Sequence, residues 1–549
     1  MLSRRTVLAS GLVLGFSAFS AHSAFRGALR SASGAAAPIV GISTGSVRGL
    51  ADGSTLSFLG VPYASAPVGA LRFRPPRPAK PWTGVREATA VGPQFLQIAR
   101  SDNEQEDALT ANVWTPALGG KAPVILYIHG GGWMVGSGGL PLYHGERLAQ
   151  RSGCVVVTFN YRLGAFGFSA HPQLADPETG HDGNWGLADQ IAALRWVRTN
   201  IAAFGGDPEN ITLVGTSAGG ASTWQLAVNP SSAALLRRAV SISPGHIWSP
   251  YVSLNRDDAA HVFDLAAAAF GTTVPGLRDV PATMLRDWWG EAFGRPLGER
   301  VVGSGRRYRG SIAGDEYFAV QDGEAPAPKI PMMVVHTSTE GSFFTDPDYI
   351  LPIPPPRNEA ELADRFYDTL HEALPSVSMA EARDGVAAYR SAARQEGRPD
   401  DLVSLWSEIV GDATIRHQTL RIAQRTAAER AAPMWVMEYA HPVQAPWRGV
   451  PHEATSPFLF GTYQNSELAR KFGSGEQERH VSETLMDLVG SFAKNSEPTA
   501  PGVPRWPAFT EEDQTALVLA GPERTEIRPP AKTSQLAFLD HLGWGNSAG

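Results

Sequence analysis

Phe204-Gly205-Gly206-Asp207-Pro208, then Ile211-Thr212-Leu213-Val214, then Gly215-Thr216-Ser217-Ala218-Gly219-Gly220 is the stretch that decides the reading of this chain. A short apolar run ends at a glycine, a serine follows two positions later, and the small residues beyond it suit the opening of a helix. This order predicts a strand that turns sharply into a helix with Ser217 at the strained tip. Glycines two before and two after the serine let neighbouring backbone pass closely without a Cβ clash. A helix starting there would aim unpaired N–H groups at negative charge developing beside the serine.

The pentapeptide alone decides little. Gly41-Ile42-Ser43-Thr44-Gly45 has the same Gly-x-Ser-x-Gly spacing, and with 57 glycines in 549 residues a chance copy is unsurprising. That earlier copy runs into Ser46-Val47-Arg48-Gly49-Leu50, an alternating, strand-like segment, so no helix is expected after Ser43.

Outward from Ser217 the chain alternates short apolar runs with helical segments. The runs are residues 124–128, 154–159, 211–214, 239–243, 332–336 and 434–439, with residues 516–520 as a closing strand. The clearest intervening helix is Trp185–Asn200, with Leu187, Ile191, Leu194 and Val197 on one face. Strands without alternation, separated by helices, predict an α/β fold whose mostly parallel central sheet is covered on both sides. Residues 46–60 read as a hairpin, and the proline-rich segment of residues 60–82 as ordered surface coil. Two long Ala/Arg/Glu-rich segments, residues 246–329 and 352–430, interrupt the rhythm and are expected as helical insertions forming pocket walls.

Residues 124–128 lead directly into His129-Gly130-Gly131-Gly132-Trp133. Consecutive glycines at a strand's C-terminal end leave backbone N–H groups unobstructed toward an anion. Acyl transfer needs such donors because a carbonyl oxygen becomes an oxyanion, and each is worth roughly 3–4 kcal/mol of barrier. A serine nucleophile also needs a base, and the base an acid to orient it. Among 14 histidines, His441 and His452 follow the late strand run, and composition does not separate them. Glu340 follows the buried run that ends near Val335, with Asp346 and Asp348 as competitors. The order Ser217, Glu340, His452 is nucleophile, acid, base, as in α/β-hydrolases.

With those residues in place, the chain resembles the type-B carboxylesterases, the α/β-hydrolase family that includes the cholinesterases. The likeness spans nearly all of residues 38–549, expected as a single domain. It rests on Phe58 to Ala64, Arg72-Phe73, Glu106-Asp107, Asn112-Val113, His129 to Trp133 and Asn160 to Gly164. Further matches are Gly183-Asn184, Gly186 to Gln190, Phe204 to Pro208, Gly215 to Gly219, Glu340 to Phe344, and Gly449-Val450-Pro451-His452 through Gly461. The resemblance implies Ser217 as nucleophile, Glu340 as acid and His452 as base. It implies oxyanion donors at Gly131, Gly132 and Ala218, and Ser243 and Thr216 beside the triad. It implies ion pairs Arg72–Glu106 and Arg162–Asp189, a small-molecule ester substrate, and neither metal nor organic cofactor. Carbamates, amides or lactones are alternative substrates for the same machinery; a non-catalytic binding relative is the reading from another class.

Two departures stand out. Phe95 and Ala108 replace the cysteines of a disulfide common in relatives, and the one cysteine, Cys154, reads as a buried apolar residue. Thr216 replaces the glutamate that usually precedes the nucleophile, which implies loss of a negative charge beside the acyl centre and tolerance of an anionic acid part. Arg306, Arg307 and Arg309 read as a solvated basic turn in preference to a site for such an acid. Trp133, His246, Trp248, Trp288 and Phe344 are candidates to line an apolar pocket, though core packing is favoured for each singly.

A net charge of −7 gives no electrostatic case for nucleic-acid binding. Ser3-Arg4-Arg5-Thr6-Val7-Leu8 and the apolar stretch to Ala21 resemble a twin-arginine signal within residues 1–37, predicting an exported, periplasmic or secreted protein. That stretch is shorter than the roughly 20 residues of a membrane span, so no stable anchor is expected after cleavage. The sequence says nothing of oligomeric state.

Overall fold

The apolar runs on either side of Ser217 become neighbours in one sheet. In the computed structural model, which describes residues 37–245, 255–292, 310–320, 325–346, 354–371 and 374–544, the strands fall in chain order as follows. They are β1 Ile39–Ile42, β2 Gly45–Arg48, β3 Leu50–Asp52, β4 Thr55–Pro62, β5 Val85–Glu87, β6 Gln94–Phe95, β7 Glu104–Gln105 and β8 Thr110–Thr115. Then come β9 Ala122–Ile128, β10 Val155–Phe159, β11 Gly206–Thr216, β12 Arg238–Ile242, β13 Met332–Thr337, β14 Met434–Tyr439, β15 Ala516–Leu519 and β16 Glu526–Arg528. An 11-stranded sheet runs β16-β15-β14-β13-β12-β11-β9-β10-β8-β4-β3. From β10 through β15 every pairing is parallel, and antiparallel strands close both ends. This is the α/β-hydrolase arrangement.

Strand β9 shows why the central runs do not alternate. Val124, Leu126 and Ile128 enter one buried apolar cluster, and Ile125 and Tyr127 enter another on the opposite face. Both faces are covered, so every position is apolar. The helix Trp185–Asn200 has the limits its periodicity predicts.

Several expectations need correction. The hairpin read over residues 46–60 is two hairpins: β1 with β2, and β3 with β4. Strand β2 belongs to a separate three-stranded sheet with β1 and β5. The proline-rich segment is mostly irregular, as expected, but it is only partly at the surface. It begins inside β4, and Phe73 is fully buried among Phe166, Trp185, Phe263 and Trp289. Prolines there end the strand while the aromatic ring fixes the chain to the core. Thr110–Thr115 is a buried strand that its Thr and Asn content concealed; Asn112 is satisfied by Gly60 N, Gly138 O and Thr158 Oγ1.

Both insertions carry helices, although residues 310–320 and 325–329 of the first are irregular. The first holds Arg256–Ala269 and Ala282–Ala292. The second holds Glu359–His371, Met379–Gln395, Leu402–Gly411 and His417–Glu429, the last two joined by a π-turn at Asp412–Arg416. Residues 1–36, nearly all of the expected signal segment of residues 1–37, lie outside the described residues, as do His246, Trp248, Arg306, Arg307, Arg309 and Asp348. Among the described residues no helix is long and apolar enough to cross a membrane.

Candidate active site

Loops at the C-terminal ends of β9, β11, β13 and β14 converge, as expected for a parallel sheet flanked by helices. Ser217 sits between β11 and the helix Ala218–Val228 with φ 61° and ψ −124°, a conformation in which a non-glycine residue is strained. The turn is held from both sides. Ser217 N donates to Ile242 O at 2.9 Å, and Ala221 N donates to Ser217 O at 2.9 Å. Gly219 is required because the helix enters at backbone contact: a Cβ there would lie 2.1 Å from Ile128 O.

Glu340 is buried in the turn after β13. Its Oε1 accepts from Ser243 Oγ at 2.7 Å and from Thr337 N at 2.7 Å, which leaves Oε2 aimed at His452. The turn is fastened from below by Arg416, which donates to Thr337 O and Ser338 O and pairs with Asp412 and Glu438. The loop carrying His452 is stitched to the same turn, with Val450 N donating to Thr339 Oγ1 at 2.5 Å.

These placements give one line of hydrogen bonds. His452 Nδ1 is 2.7 Å from Glu340 Oε2, and His452 Nε2 is 2.7 Å from Ser217 Oγ. A carboxylate only accepts, so Nδ1 carries the proton and Nε2 accepts from the serine. Burial alone would lower the His452 pKa, but the Glu340 carboxylate, its hydrogen bond and Glu453 outweigh it and hold it above the ordinary value. The rings of Phe343 and Phe344 lie 5.7 and 5.9 Å from the imidazole and restrict its movement.

The glycine loop approaches from β9. Gly131 has φ 116° and Gly132 φ 62°, and a Cβ on Gly131 would lie 2.1 Å from Val135 O, so the tight turn excludes side chains. Among the described residues, the backbone N–H groups of Gly131, Gly132 and Ala218 donate to no backbone acceptor outside regular elements, while Gly131 O accepts from Met134 N and Val135 N. His129 anchors the loop: its ring stacks on Tyr161 at 4.4 Å and its Nδ1 lies 2.8 Å from Gly130 O. Burial lowers the His129 pKa to about 4, so it adds no charge.

The other candidates separate cleanly. His441 points elsewhere, 3.4 Å from Glu478 and edge-on to Phe458. Asp346 pairs with Lys471. Arg72 and Glu106 form a two-point pair at 2.5 and 2.8 Å, and Arg162 and Asp189 another at 2.8 and 2.7 Å, as expected. Phe95, Ala108 and Cys154 are all buried. Trp133 is core, its Nε1 donating to Ser222 Oγ at 3.1 Å, and Trp288 packs against the core partly buried.

One expectation about charge fails. Thr216 does remove an acid from the elbow, yet Glu453 brings a carboxyl close to Gly130, Thr216 and Ser217. A Cβ on Gly130 would meet Glu453 Oε1 at 2.8 Å, Thr216 O at 2.9 Å and Ser217 Cβ at 3.0 Å. Sequence reasoning missed Glu453, although its position directly after His452 was a signal.

Known proteins resemble this chain over most of its length. The family model described as "Carboxylesterase family" matches residues 36–539. The para-nitrobenzyl esterase of Bacillus subtilis is 29% identical over 517 residues, covering 91% of this chain and 98% of that protein. The phenmedipham hydrolase of Pseudarthrobacter oxydans is 31% identical over 531 residues, covering 92% and 98%. A solved structure titled PNB esterase superposes with a TM-score of 0.73 at 27% identity, covering 91% of this chain and 99% of that one.

Proposed function

The chain belongs to the carboxylesterase family and is a carboxylic ester hydrolase, and from that premise we propose that it works through a Ser217–His452–Glu340 triad and an acyl-enzyme. The observation that carries this reading is the unbroken line of hydrogen bonds, 2.7 Å from Ser217 Oγ to His452 Nε2 and 2.7 Å from His452 Nδ1 to Glu340 Oε2. Its members come from three separate loops, so the line is built by the fold and not by a local turn.

In this mechanism His452 Nε2 takes the proton as Ser217 Oγ attacks the ester carbonyl. The carbonyl oxygen becomes an oxyanion facing the N–H groups of Gly131, Gly132 and Ala218. His452 then gives its proton to the departing alcohol, leaving the acyl group on Ser217. Water attacks next, with His452 again as base, and the acid is released. Glu340 keeps the imidazole in the required tautomer and stabilises its charged form. The insertion helix Leu402–Gly411 stands against the acid turn, with Ser407 Oγ 2.8 Å from Thr345 Oγ1, which supports its reading as a wall of the site.

Replacing Ser217 by alanine tests the assignment. Turnover should fall by roughly a millionfold if the group behaves as other triads do. A fluorophosphonate should form an adduct on Ser217 in the wild type and none in the variant. Undiminished hydrolysis by purified Ser217→Ala would sink the mechanism.

A further inference from the structure

Glu453 is a half-buried acid with no part in the mechanism above. It follows His452 in sequence, and its carboxyl lies in the notch between the glycine loop and the elbow, beside Gly130, Thr216 and Ser217. Its Oε2 accepts from Ser456 Oγ at 3.2 Å. Ser456 Oγ is in turn 3.3 Å from Tyr127 Oη and 3.4 Å from Thr216 Oγ1, and Tyr127 Oη donates to Thr216 Oγ1 at 3.0 Å. Three hydroxyls thus form a ring between the carboxyl and the residue before the nucleophile.

We propose that Glu453 is a positioning residue that acts through His452: its carboxylate favours the imidazolium formed when Ser217 gives up its proton, and it sets the direction of the Ser456–Tyr127–Thr216 hydroxyl ring behind the elbow. This rests on the triad reading. Each hydroxyl has a single proton to give. When Glu453 is ionised, Ser456 must spend its proton on the carboxylate, so Tyr127 and Thr216 orient around a fixed acceptor. When Glu453 is protonated that constraint is lost.

The groups that face Glu453 come from several elements. His452 and Glu340 act on it by charge, and it acts in turn on Tyr127, Tyr143 and Tyr161. Among the described groups that shift it, His452 alone can carry a positive charge, and it does so only when protonated. Burial raises the Glu453 pKa, His452 and Ser456 pull it down, Glu340 raises it, and the outcome lies above the ordinary carboxylate value. Glu453 is also one of the groups holding the His452 pKa up. The two titrations are therefore coupled, and the acid limb of activity belongs to the pair.

The test uses Glu453→Gln and Glu453→Asp in the full chain, with kcat, KM and the rate of fluorophosphonate labelling followed against pH. Removing the charge should lower kcat about tenfold with KM little changed, and move the acid limb down by about one pH unit, the scale of a single nearby charge. Glu453→Asp keeps the charge and should keep the limb near its wild-type pH. A Glu453→Gln enzyme with the wild-type limb and kcat overturns the proposal. So does a Glu453→Asp limb displaced as far as that of the Gln variant, since shape and not charge would then be acting. Failure to label Ser217 in the wild type would instead defeat the triad itself, so the two failures are distinguishable.

Discussion

The last glycine of one Gly-x-Ser-x-Gly copy, Gly219, and the first of the other, Gly41, should respond differently to alanine. At Gly219 a Cβ would stand 2.1 Å from Ile128 O and 2.8 Å from His129 O, both backbone atoms of the strand end that bears the glycine loop. Ordinary contact needs about 3.5 Å, so helix and loop must separate by roughly 1 Å. Overpacking of that kind costs about 1–3 kcal/mol. The same shift parts Ala218 N from Gly131 N and Gly132 N, and a misplacement near 1 Å costs about a hundredfold in rate. At Gly41, an exposed position of strand β1, an added Cβ meets nothing within 4 Å. Gly41→Ala should stay within about 0.5 kcal/mol of the wild type, or gain slightly because alanine loses less backbone entropy. Urea midpoints and kcat/KM for a p-nitrophenyl ester read both effects. A Gly219→Ala enzyme with wild-type midpoint and rate would refute the close-approach argument, as would a Gly41→Ala enzyme that had lost activity.

Two further outcomes follow from charge. Asp189→Asn leaves Arg162, whose side chain is 2% exposed, without its anion, and should cost about 3–5 kcal/mol in chemical unfolding; a loss below about 1 kcal/mol would show the pair to be dispensable. Glu340→Gln should lower kcat by about ten-thousandfold. Because Glu340 helps hold the His452 pKa up, and His452 must be neutral to take the proton, the acid limb of kcat/KM should also move to lower pH. A limb that stayed put or moved up would contradict that sign.

How much could be read from sequence depended on whether the determining contacts were local. The parallel strands were legible because burial on both faces removes alternation, and the helix Trp185–Asn200 because its apolar face recurs regularly. Strand β8 was not, since the groups that satisfy Asn112 come from three other segments. Phe73 was misplaced for a related reason. Prolines describe the local path of the chain, while the aromatic cluster and the Arg72–Glu106 pair that bury it are assembled from distant residues. At the site, Ser217 was legible from its own flanks. The base was not: His441 and His452 both follow β14, and only the closure of the later loop onto Thr339 brings one of them to the serine. Resemblance to a family selected His452 where spacing left the choice open.

The same distinction governs the charge at the acyl centre. A threonine at position 216 argues for a less negative site only if position 216 is the only place from which a carboxylate can reach it. Electrostatic influence depends on distance, not on position in the chain. Glu453 reaches the notch beside Ser217 Cβ from a loop that follows β14, and its field is felt at Tyr127, Tyr143, Tyr161 and His452. Thr216 meanwhile keeps a hydroxyl in the ring that receives that carboxylate's hydrogen-bond direction. The elbow therefore has not lost its acidic neighbour; the acid stands on the base's loop, where its charge is coupled to the proton that His452 carries. On this arrangement the substitution at 216 gives no ground for a preference for anionic acid groups. Any such preference has to come from cationic side chains strong enough to outweigh two carboxylates, Glu340 and Glu453, flanking one imidazole.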